Sequence, residues 1–434
     1  MEVPVKGRNE REYVWKNINR FWKAGLIKKN FSFARISLII LVLTGCGGET
    51  PEVPDMEITK ADSEVYSTAG NDAVDAEHIE EILRDIYEEA VGADTLGSLD
   101  IVRRMVIRLG ENGYVTVDSG NQVDMTQAEQ VLEFCKAVDE KGNAELTMTV
   151  IMETGIRKFD LKTENGNVNV VRGYYQYDRN GHLQNRDTAS YPANFWQYTE
   201  EGYLIFAGNY FSEENFVLTL SDAQEHVMVR VLPLDETCRE YNRKYILPVG
   251  YEQNNLFLCN WHEDDFGDLD FYDLFDRLYP MVHSRPVPYM ADENRGVGAV
   301  YQVPGDLFEN VIGAYFDVDM ETLRSKTTYI SEFAAYEYRP RGFYEAAYPD
   351  IAYPEVVSCT ENEDGTVTLN CNAVYPNGNT SKEFSHTTVI RPLNGEGFQY
   401  VSNEIFLQEE DDIWWHSDRL TEEEWKAAYG GNGL

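Results

Sequence analysis

The spacing of apolar residues changes near residue 144, and this change restricts the folds that the chain can adopt. Before it, apolar side chains recur every three or four residues, as between Ile79 and Tyr87, which predicts amphipathic helices. After it, apolar and polar residues alternate, and pairs such as Asn165-Gly166 separate the alternating segments, which predicts β-hairpins. Parallel strands need long crossover connections, which such short turns do not supply. We therefore predict an α+β fold with antiparallel, hairpin-rich sheets rather than a doubly wound nucleotide-binding fold.

Helices followed by strands occur twice along the chain, which predicts two domains. The N-terminal α+β domain is predicted to cover residues 72–285 and the C-terminal α+β domain residues 300–408, with Pro and Gly residues concentrated at 284–303. In the second domain a helix pair precedes several strands, and a helix pair packed on a curved antiparallel sheet would be a cystatin-like arrangement. Residues 409–434 are predicted to form an acidic tail with a short helix.

The first 45 residues have the composition of an export signal. They contain nine Lys and Arg residues against three acids, and Arg35 is followed by an apolar run at 36–43. As a helix this run would rise only about 12 Å, well short of the roughly 30 Å hydrocarbon layer of a membrane. Residues 1–45 therefore predict a signal peptide rather than a transmembrane anchor.

The motif Leu43-Thr44-Gly45-Cys46 resembles the lipobox of bacterial lipoproteins. The resemblance implies a diacylglycerol on the sulfur of Cys46, cleavage between Gly45 and Cys46, and a lipidated N-terminus with an acidic linker at 46–71. Two acyl chains hold a protein stably on a membrane, whereas one does so only marginally. The predicted location is the outer face of the cytoplasmic membrane, with the lipid on Cys46 as the membrane contact.

Charge limits the partners that the chain can have. It contains 37 Lys and Arg residues against 75 Asp and Glu residues, a formal net charge of −38. Nucleic-acid binding needs clustered basic residues to neutralise phosphates, so we predict no nucleic-acid partner. A protein or a cell-envelope ligand remains open as the partner.

Cysteine spacing gives one specific prediction. Five cysteines remain besides Cys46, an odd number, so they cannot all pair within one chain. Cys359 and Cys371 lie on the two strands of a predicted hairpin that turns near Asp364-Gly365. A two-residue turn would put the cysteines on opposite faces, a three-residue loop ending at Gly365 would put them diagonally on one face, and only a loop centred on Gly365 would set them directly opposite. We predict that these two cysteines are not disulfide-bonded.

Known catalytic and metal-binding motifs are missing from the sequence. It has no G-x-S-x-G, H-E-x-x-H, P-loop or Rossmann glycine pattern. Cys259 and His262 have the spacing of metal ligands, but no second pair completes a site of four ligands. Acidic residues gather at 263–273, where they predict the N-terminus of a helix, entered at Asp268 or Asp270 and ended by Pro280, rather than a calcium loop. We predict no metal site and no cofactor.

The candidate ligand-binding residues lie in one short segment. Tyr336, Tyr338, Arg339 and Arg341 place two guanidinium groups and two aromatic rings around Pro340 in a strongly acidic chain. An Arg plane can bind a carboxylate or stack on an aromatic ring of a ligand. The alternative is that both Arg side chains pair internally with the surplus acids of the protein.

Four stretches resemble uncharacterised lipoproteins of clostridial-type Gram-positive bacteria. They are Gly-Tyr-Tyr-Gln-Tyr-Asp at 173–178, Trp-Gln-Tyr-Thr-Glu-Glu-Gly-Tyr-Leu-Ile-Phe at 196–206, Tyr-Arg-Pro-Arg-Gly at 338–342 and Phe-Gln-Tyr-Val-Ser-Asn at 398–403. The resemblance implies an exported location and a two-domain build over most of the mature chain. It implies no catalytic residue.

Together these features favour a membrane-anchored extracellular lipoprotein that acts as a non-enzymatic binding or accessory module. One alternative is a hydrolase acting on cell-wall or extracellular glycan or peptide. A cleft with two carboxyl groups about 5–10 Å apart, one of them in an apolar setting, would favour it. A second alternative is the solute-binding lipoprotein of a transporter, which would need an alternation of strands and helices that the sequence does not show.

Overall fold

The described part of the chain begins with helices whose apolar side chains share one face. The computed structural model describes residues 69–210, 224–289, 298–407 and 413–429, all within a compact unit that runs from Ala69 to Leu434. The signal peptide, Cys46 and the linker up to residue 68 lie outside the described residues. The first three helices are α1 (Ala69–Ala93), α2 (Leu99–Glu111) and α3 (Ala128–Asp139). On α2, Ile101, Met105 and Leu109 are among the residues buried at three- and four-residue spacing, as expected for a helix that covers a core on one side.

The first sheet has five strands in the order β1-β2-β3-β4-β5. Their bounds are β1 (Val115–Asp118), β2 (Ala144–Met152), β3 (Gly155–Glu164), β4 (Asn167–Tyr177) and β5 (Leu183–Pro192). Strand β1 is parallel to β2, and each later strand is antiparallel to the one before it. The predicted Asn165-Gly166 turn is confirmed, because Glu164 pairs with Asn167 and both turn residues have positive φ angles of 53° and 82°.

A second, three-stranded sheet has one strand that is buried on both faces. It consists of β6 (Phe195–Tyr198), β7 (Tyr203–Asn209) and β8 (Gln224–Arg230). Successive side chains of a strand point to opposite faces. On β7, Leu204 and Phe206 join the core beneath α3 and the first sheet, whereas Tyr203 and Ile205 pack with Val374, far along the chain.

The later part of the chain, here called the C-terminal region (234–429), holds two further sheets. Helices α4 (Glu236–Tyr241), α5 (Phe271–His283), α6 (Gly305–Gly313), α7 (Met320–Ser325) and α8 (Glu422–Tyr429) accompany them. The three-stranded sheet has the order β10-β12-β11, with β10 (Tyr301–Pro304), β11 (Tyr329–Ile330) and β12 (Ala335–Tyr338). The five-stranded sheet has the order β13-β14-β15-β16-β9, with β9 (Trp261–His262), β13 (Tyr353–Glu361), β14 (Val367–Val374), β15 (Ser385–Pro392) and β16 (Phe398–Phe406).

In the hairpin of β13 and β14, Cys359 and Cys371 lie diagonally from each other on neighbouring strands. Cys359 lies opposite Leu369, and the amide of Asn362 donates to the carbonyl of Thr366 across a three-residue loop that ends at Gly365. Of the turn alternatives, the structure therefore has the one in which Cys359 and Cys371 are on one face but not directly opposite.

The largest core takes residues from both sides of 284–303. Its members run from Leu234 to Tyr279 and from Val303 to Trp415, and strand β9 completes the sheet at β16. The remaining helices and sheets, here called the N-terminal region (69–231), have their own core clusters. The α+β fold class is confirmed. The division into domains at 72–285 and 300–408, and the cystatin-like arrangement, stay predictions.

Within the described ranges, no helix is both long and apolar enough to cross a membrane.

Candidate functional site

A buried cluster of charges lies on one side of helix α5. Asp273, one turn into the helix, has a side chain that is 2% exposed. Arg341 donates to its two oxygens at 2.8 and 2.6 Å, and Arg419 donates to it at 2.7 Å and to Asp276 at 2.9 Å. Burial disfavours the charged form of Asp273, but Arg419 and Arg341 outweigh that effect and lower the pKa of this carboxyl. Because each buried charge depends on its partners, the cluster fixes the position of the chain around it.

A cleft of about 430 Å³ opens beside this cluster. Its walls come from the loop before α5 and the start of that helix, the segment after α7, β12 with the segment that follows it, and the tail after residue 418. Five carboxylates line it: Asp268, Asp270, Glu337, Glu345 and Glu422. Three basic side chains and two aromatic rings lie among them: Lys326, Arg339, Arg419, Tyr272 and Trp425. A concave site with convergent polar groups and aromatic walls is typical of ligand binding.

Four chain segments meet in pairs at the cleft through specific hydrogen bonds. The ammonium of Lys326 donates to the carbonyl of Gly267 at 2.6 Å, and the amide of Thr328 donates to the hydroxyl of Tyr272 at 2.8 Å. Elsewhere in the cleft, the amide of Leu420 donates to Glu345 at 3.1 Å. The tail is thereby held against the segment that follows β12.

One wall of the cleft has polar groups that lack partners. The guanidinium of Arg339 lies over the ring of Trp425, 5.0 Å from its centre, and also pairs with Glu337. Among the described residues, Nε of Arg339 and Nε1 of Trp425 are buried and have no hydrogen-bond acceptor. A buried N–H group without a partner is costly, so these two groups are not fully satisfied by contacts within the described residues.

Asp270 combines a structural role with an altered titration. As the N-cap of α5, its carboxylate accepts the amides of Tyr272 at 2.8 Å and Asp273 at 3.0 Å. Burial, together with the neighbouring charge of Asp273, raises the pKa of Asp270 to about 6. Its side chain is still 27% exposed, on the cleft side. A carboxyl with a raised pKa in a cleft is a feature of functional sites.

The four residues predicted from the sequence are separated by the fold. Arg339 lines the cleft, whereas Arg341 is buried in the charge cluster, as in the internal-pairing alternative. Tyr336 and Tyr338 are buried, and their hydroxyls donate to Glu309 at 2.9 Å and to Asp276. Successive residues of a strand point to opposite faces, so Tyr336 and Tyr338, two positions apart, share one face, and that face is buried in the core.

The sequence did not indicate most of the residues that line the cleft. Arg419 and Trp425 come from the tail, which was interpreted only as an acidic segment with a short helix, and Lys326 follows α7. No local motif marks these side chains, because they meet Asp270 across 56 to 155 positions of sequence. The one available signal was the isolated Arg419 in an acid-rich segment.

The residues with metal-ligand spacing serve other contacts. The thiol of Cys259 donates to the carbonyl of Asn255 at 3.2 Å, and burial raises its pKa to about 12. In the acidic segment that follows His262, Glu263 forms an ion pair with Arg391 at 2.7 Å. In the part of the chain that the structure describes, no three His, Cys, Asp or Glu side chains are grouped as metal ligands.

A second buried charge network joins the two regions. Glu355 on β13 accepts from Arg230 at 2.5 Å and from the hydroxyl of Tyr203 at 2.6 Å. Asn121 accepts the amide of Arg230 at 2.9 Å and donates to the hydroxyl of Tyr353 at 3.1 Å. Arg230 and Glu355 are 7% and 5% exposed, so this network holds the β-sheets together rather than presenting a surface.

Comparison with curated proteins and with solved structures finds no match. A family model described as a family of unknown function (DUF6070) matches residues 70–419, which include the charge cluster and all of the cleft except Leu420, Glu422 and Trp425. Since that match covers most of the chain, the protein belongs to the family of unknown function DUF6070.

Proposed function

We propose that this protein is a lipid-anchored extracellular lipoprotein whose folded region binds a glycan of the cell envelope without transforming it. The observation that carries the proposal is the cleft between α5, β12 and the tail, where carboxylates alternate with basic groups beside Tyr272 and Trp425. The lipobox-like motif ending at Cys46 supports the anchored location.

The chemistry of the cleft favours a ligand with many hydroxyl groups. A polyanion would face five carboxylates against three basic side chains. An apolar ligand would bury those charges without partners, which is costly. Sugar hydroxyls can donate to carboxylates and accept from guanidinium and indole N–H groups at once. Arg339 and Trp425, which both line the cleft, each carry an N–H group without an acceptor among the described residues.

Binding can be tested on the full chain carrying Cys46→Ser, titrated calorimetrically with soluble oligosaccharides of cell-wall amino sugars. We expect binding that Lys326→Gln and Asp268→Asn each weaken about ten-fold, the effect of losing a hydrogen bond to a charged group. The matched control is Asp264→Asn, because Asp264 is 92% exposed and lies outside the cleft lining. Absence of binding, or equal binding by the cleft variants and the control, would refute the proposal.

The anchored location has its own test. Cells fed a labelled fatty acid should incorporate the label into the wild-type chain but not into Cys46→Ser. Label retained by the variant would place the lipid elsewhere.

A hydrolase acting on the same class of ligand is the second candidate. The raised pKa of Asp270 favours it, because a general acid must keep its proton near neutral pH. Against it, one oxygen of Asp270 is already engaged by two backbone amides at the start of α5. New reducing ends released from a glycan by the wild-type chain, and not by Asp270→Asn, would establish the hydrolase in place of the binding module.

The solute-binding lipoprotein of a transporter is less well supported. Among the paired strands of the described residues, only β1 and β2 run parallel, whereas that class alternates parallel strands with helices.

A further inference from the structure

Two cysteines from different regions of the sequence lie next to each other in the fold. Cys238 is on helix α4 and Cys359 on strand β13, 121 positions apart, and their Sγ atoms are 3.5 Å apart. The helix packs directly against the strand. Both cysteines are reduced in this structure, and their thiols form a sulfur–sulfur hydrogen bond.

Cys371, the other cysteine of the same hairpin, does not lie directly opposite Cys359. Cys371 is 1% exposed on the neighbouring strand, and the hairpin register places Cys359 opposite Leu369 instead. The only sulfur–sulfur hydrogen bond between described residues is that of Cys238 with Cys359. The turn geometry inferred from the sequence predicts no bond between Cys359 and Cys371, whereas the fold brings Cys359 to a helix that precedes it by more than a hundred residues.

We propose that Cys238 and Cys359 form a disulfide bond that links helix α4 to the five-stranded sheet of the C-terminal region. A disulfide has sulfurs about 2 Å apart, so the two Sγ atoms must approach by roughly 1.5 Å. Side-chain rotation and a small shift of a short helix against a strand can supply that distance. The proposal is independent of the proposed glycan-binding function.

The chemistry is thiol–disulfide exchange with a small-molecule or protein disulfide as the oxidant. Cys359 is only half-buried, so its thiolate attacks a sulfur of the donor, breaks the donor S–S bond and releases the first donor thiolate. Cys238 then attacks the Cys359 sulfur of the mixed disulfide and displaces the second donor thiolate. The two protein thiols lose two electrons and two protons, and the donor disulfide becomes two thiols.

The order of the two steps follows from burial. Cys238 is 3% exposed, and burial raises its pKa to about 12, so it is a poor first nucleophile for an outside disulfide. Once Cys359 carries the donor group, the reaction of Cys238 is intramolecular and its proximity compensates for its low reactivity.

The bond would enclose most of the cleft. The chain from 238 to 359 contains Asp270, Lys326 and Arg339, whereas Arg419 and Trp425 lie beyond it. Closing so long a loop restricts the unfolded chain and therefore stabilises the fold. Oxidation would hold the walls supplied by this loop together even when the tail detaches.

The test uses the full chain carrying Cys46→Ser, so that five thiols remain. The folded protein is incubated with oxidised glutathione, its free thiols are alkylated, and its peptides are mapped by mass spectrometry without reduction. We expect one linked pair that contains Cys238 and Cys359, and a melting temperature that falls by roughly 5 °C on reduction. Cys359→Ala should abolish both effects, whereas the control Cys135→Ala, a buried thiol of the N-terminal region, should keep both.

Peptide mapping of the protein with all five thiols decides the question even where a variant folds poorly. Alkylation of both Cys238 and Cys359 after exposure to the oxidant would overturn the proposal. A bond from Cys359 to Cys371, or between two copies of the chain, would overturn it as well.

Discussion

Arg104 in the N-terminal region and Arg341 in the C-terminal region bind their carboxylates in the same two-pronged way. Arg104 donates to the two oxygens of Glu89 at 2.8 and 2.6 Å, and Arg341 donates to those of Asp273 at 2.8 and 2.6 Å. The first pair has side chains 37% and 59% exposed, the second 5% and 2%. The two pairs have the same geometry but contribute differently to stability, because water can replace a lost partner at the first site but not at the second.

The difference extends to the surroundings of the two pairs. Helices α1 and α2 carry their ion pairs in solvent, including Arg108 with Asp85, and the helices are held by apolar faces. The C-terminal region places Arg419 and Asp273 inside its structure beside the cleft. The ion pair of Arg108 with Asp85 stays in water, whereas the charges beside the cleft fix the chain segments that form a site.

The largest effect should come from breaking the buried pair. Arg341→Met leaves Asp273 with Arg419 as its remaining basic partner, and we expect the free energy of unfolding to fall by about 3–5 kcal/mol. Arg104→Met is the matched control, with an expected change below about 1 kcal/mol. Urea denaturation of both variants measures the two values. Similar losses at the two sites would remove the distinction between the regions.

A smaller effect is expected where the two regions meet. Tyr203→Phe removes the hydroxyl that donates to Glu355 at 2.6 Å and keeps the ring that packs in the core. A hydrogen bond to a buried charged group contributes about 1.5–3 kcal/mol, so unfolding should become easier by roughly 2 kcal/mol. Tyr174→Phe is a control within the N-terminal region, since Tyr174 is only partly buried and its strand pairing is independent of the hydroxyl. A loss below about 0.5 kcal/mol in Tyr203→Phe would mean that the network does not join the regions energetically.

The smallest effect concerns pH and compares two aspartates that each accept two backbone amides. Asp270 has a raised pKa of about 6, so between pH 4 and 6 the folded state keeps a proton that the unfolded state has released. Stability therefore falls as pH rises through this window. Asp270→Asn keeps a capping side chain and should gain about 1–2 kcal/mol over wild type from pH 4 to pH 7, an estimate reduced for the partial exposure of the group.

Asp178 in the N-terminal region is the matched control. Its carboxylate accepts the amides of His182 and Asn180 at 3.0 and 2.8 Å, and these bonds lower its pKa. Its contribution is present above the ordinary pKa of an aspartate and is lost as pH falls through the lowered value. Asp178→Asn should therefore change the pH profile of the unfolding free energy in the opposite sense to Asp270→Asn. If both substitutions changed the pH dependence of the unfolding free energy in the same direction, exposure would not decide how these two aspartates titrate.

Local patterns predicted local structure well. The Asn165-Gly166 hairpin, the entry of α5 at Asp270 and the alternation of β14 depend on neighbours within a few residues. Two local predictions were wrong. Thr126-Gln127-Ala128-Glu129 has the pattern of a capping box, which predicts Thr126 as the N-cap of α3, but its hydroxyl accepts the amide of Thr116 instead. Helix α5 continues past Pro280 to His283. In the first case a strand neighbour competes for the cap, and in the second Pro falls in the last turn.

The cleft could not be predicted in the same way. Of the four candidate residues, only Arg339 lines it. Strand alternation predicts that Tyr336 and Tyr338 share a face, but the sequence does not show that a neighbouring part of the chain buries that face. The pairing of β9 with β16 and the return of the tail to α5 are long-range contacts. They depend on which surfaces are left to cover once the sheets have formed, and no spacing in the sequence records that.

The double burial of β7 has a consequence for how the protein unfolds. On one face of the strand, Leu204 and Phe206 belong to a core of the N-terminal region. On the other face, Tyr203 and Ile205 contact Val374 of the C-terminal region. Shifting the strand by a single residue would exchange the two sets of side chains. Unfolding of either region would expose one face of this shared strand to water. We therefore expect a single cooperative transition for the folded part of the chain, with hydrogen exchange slowest at the amides of β7.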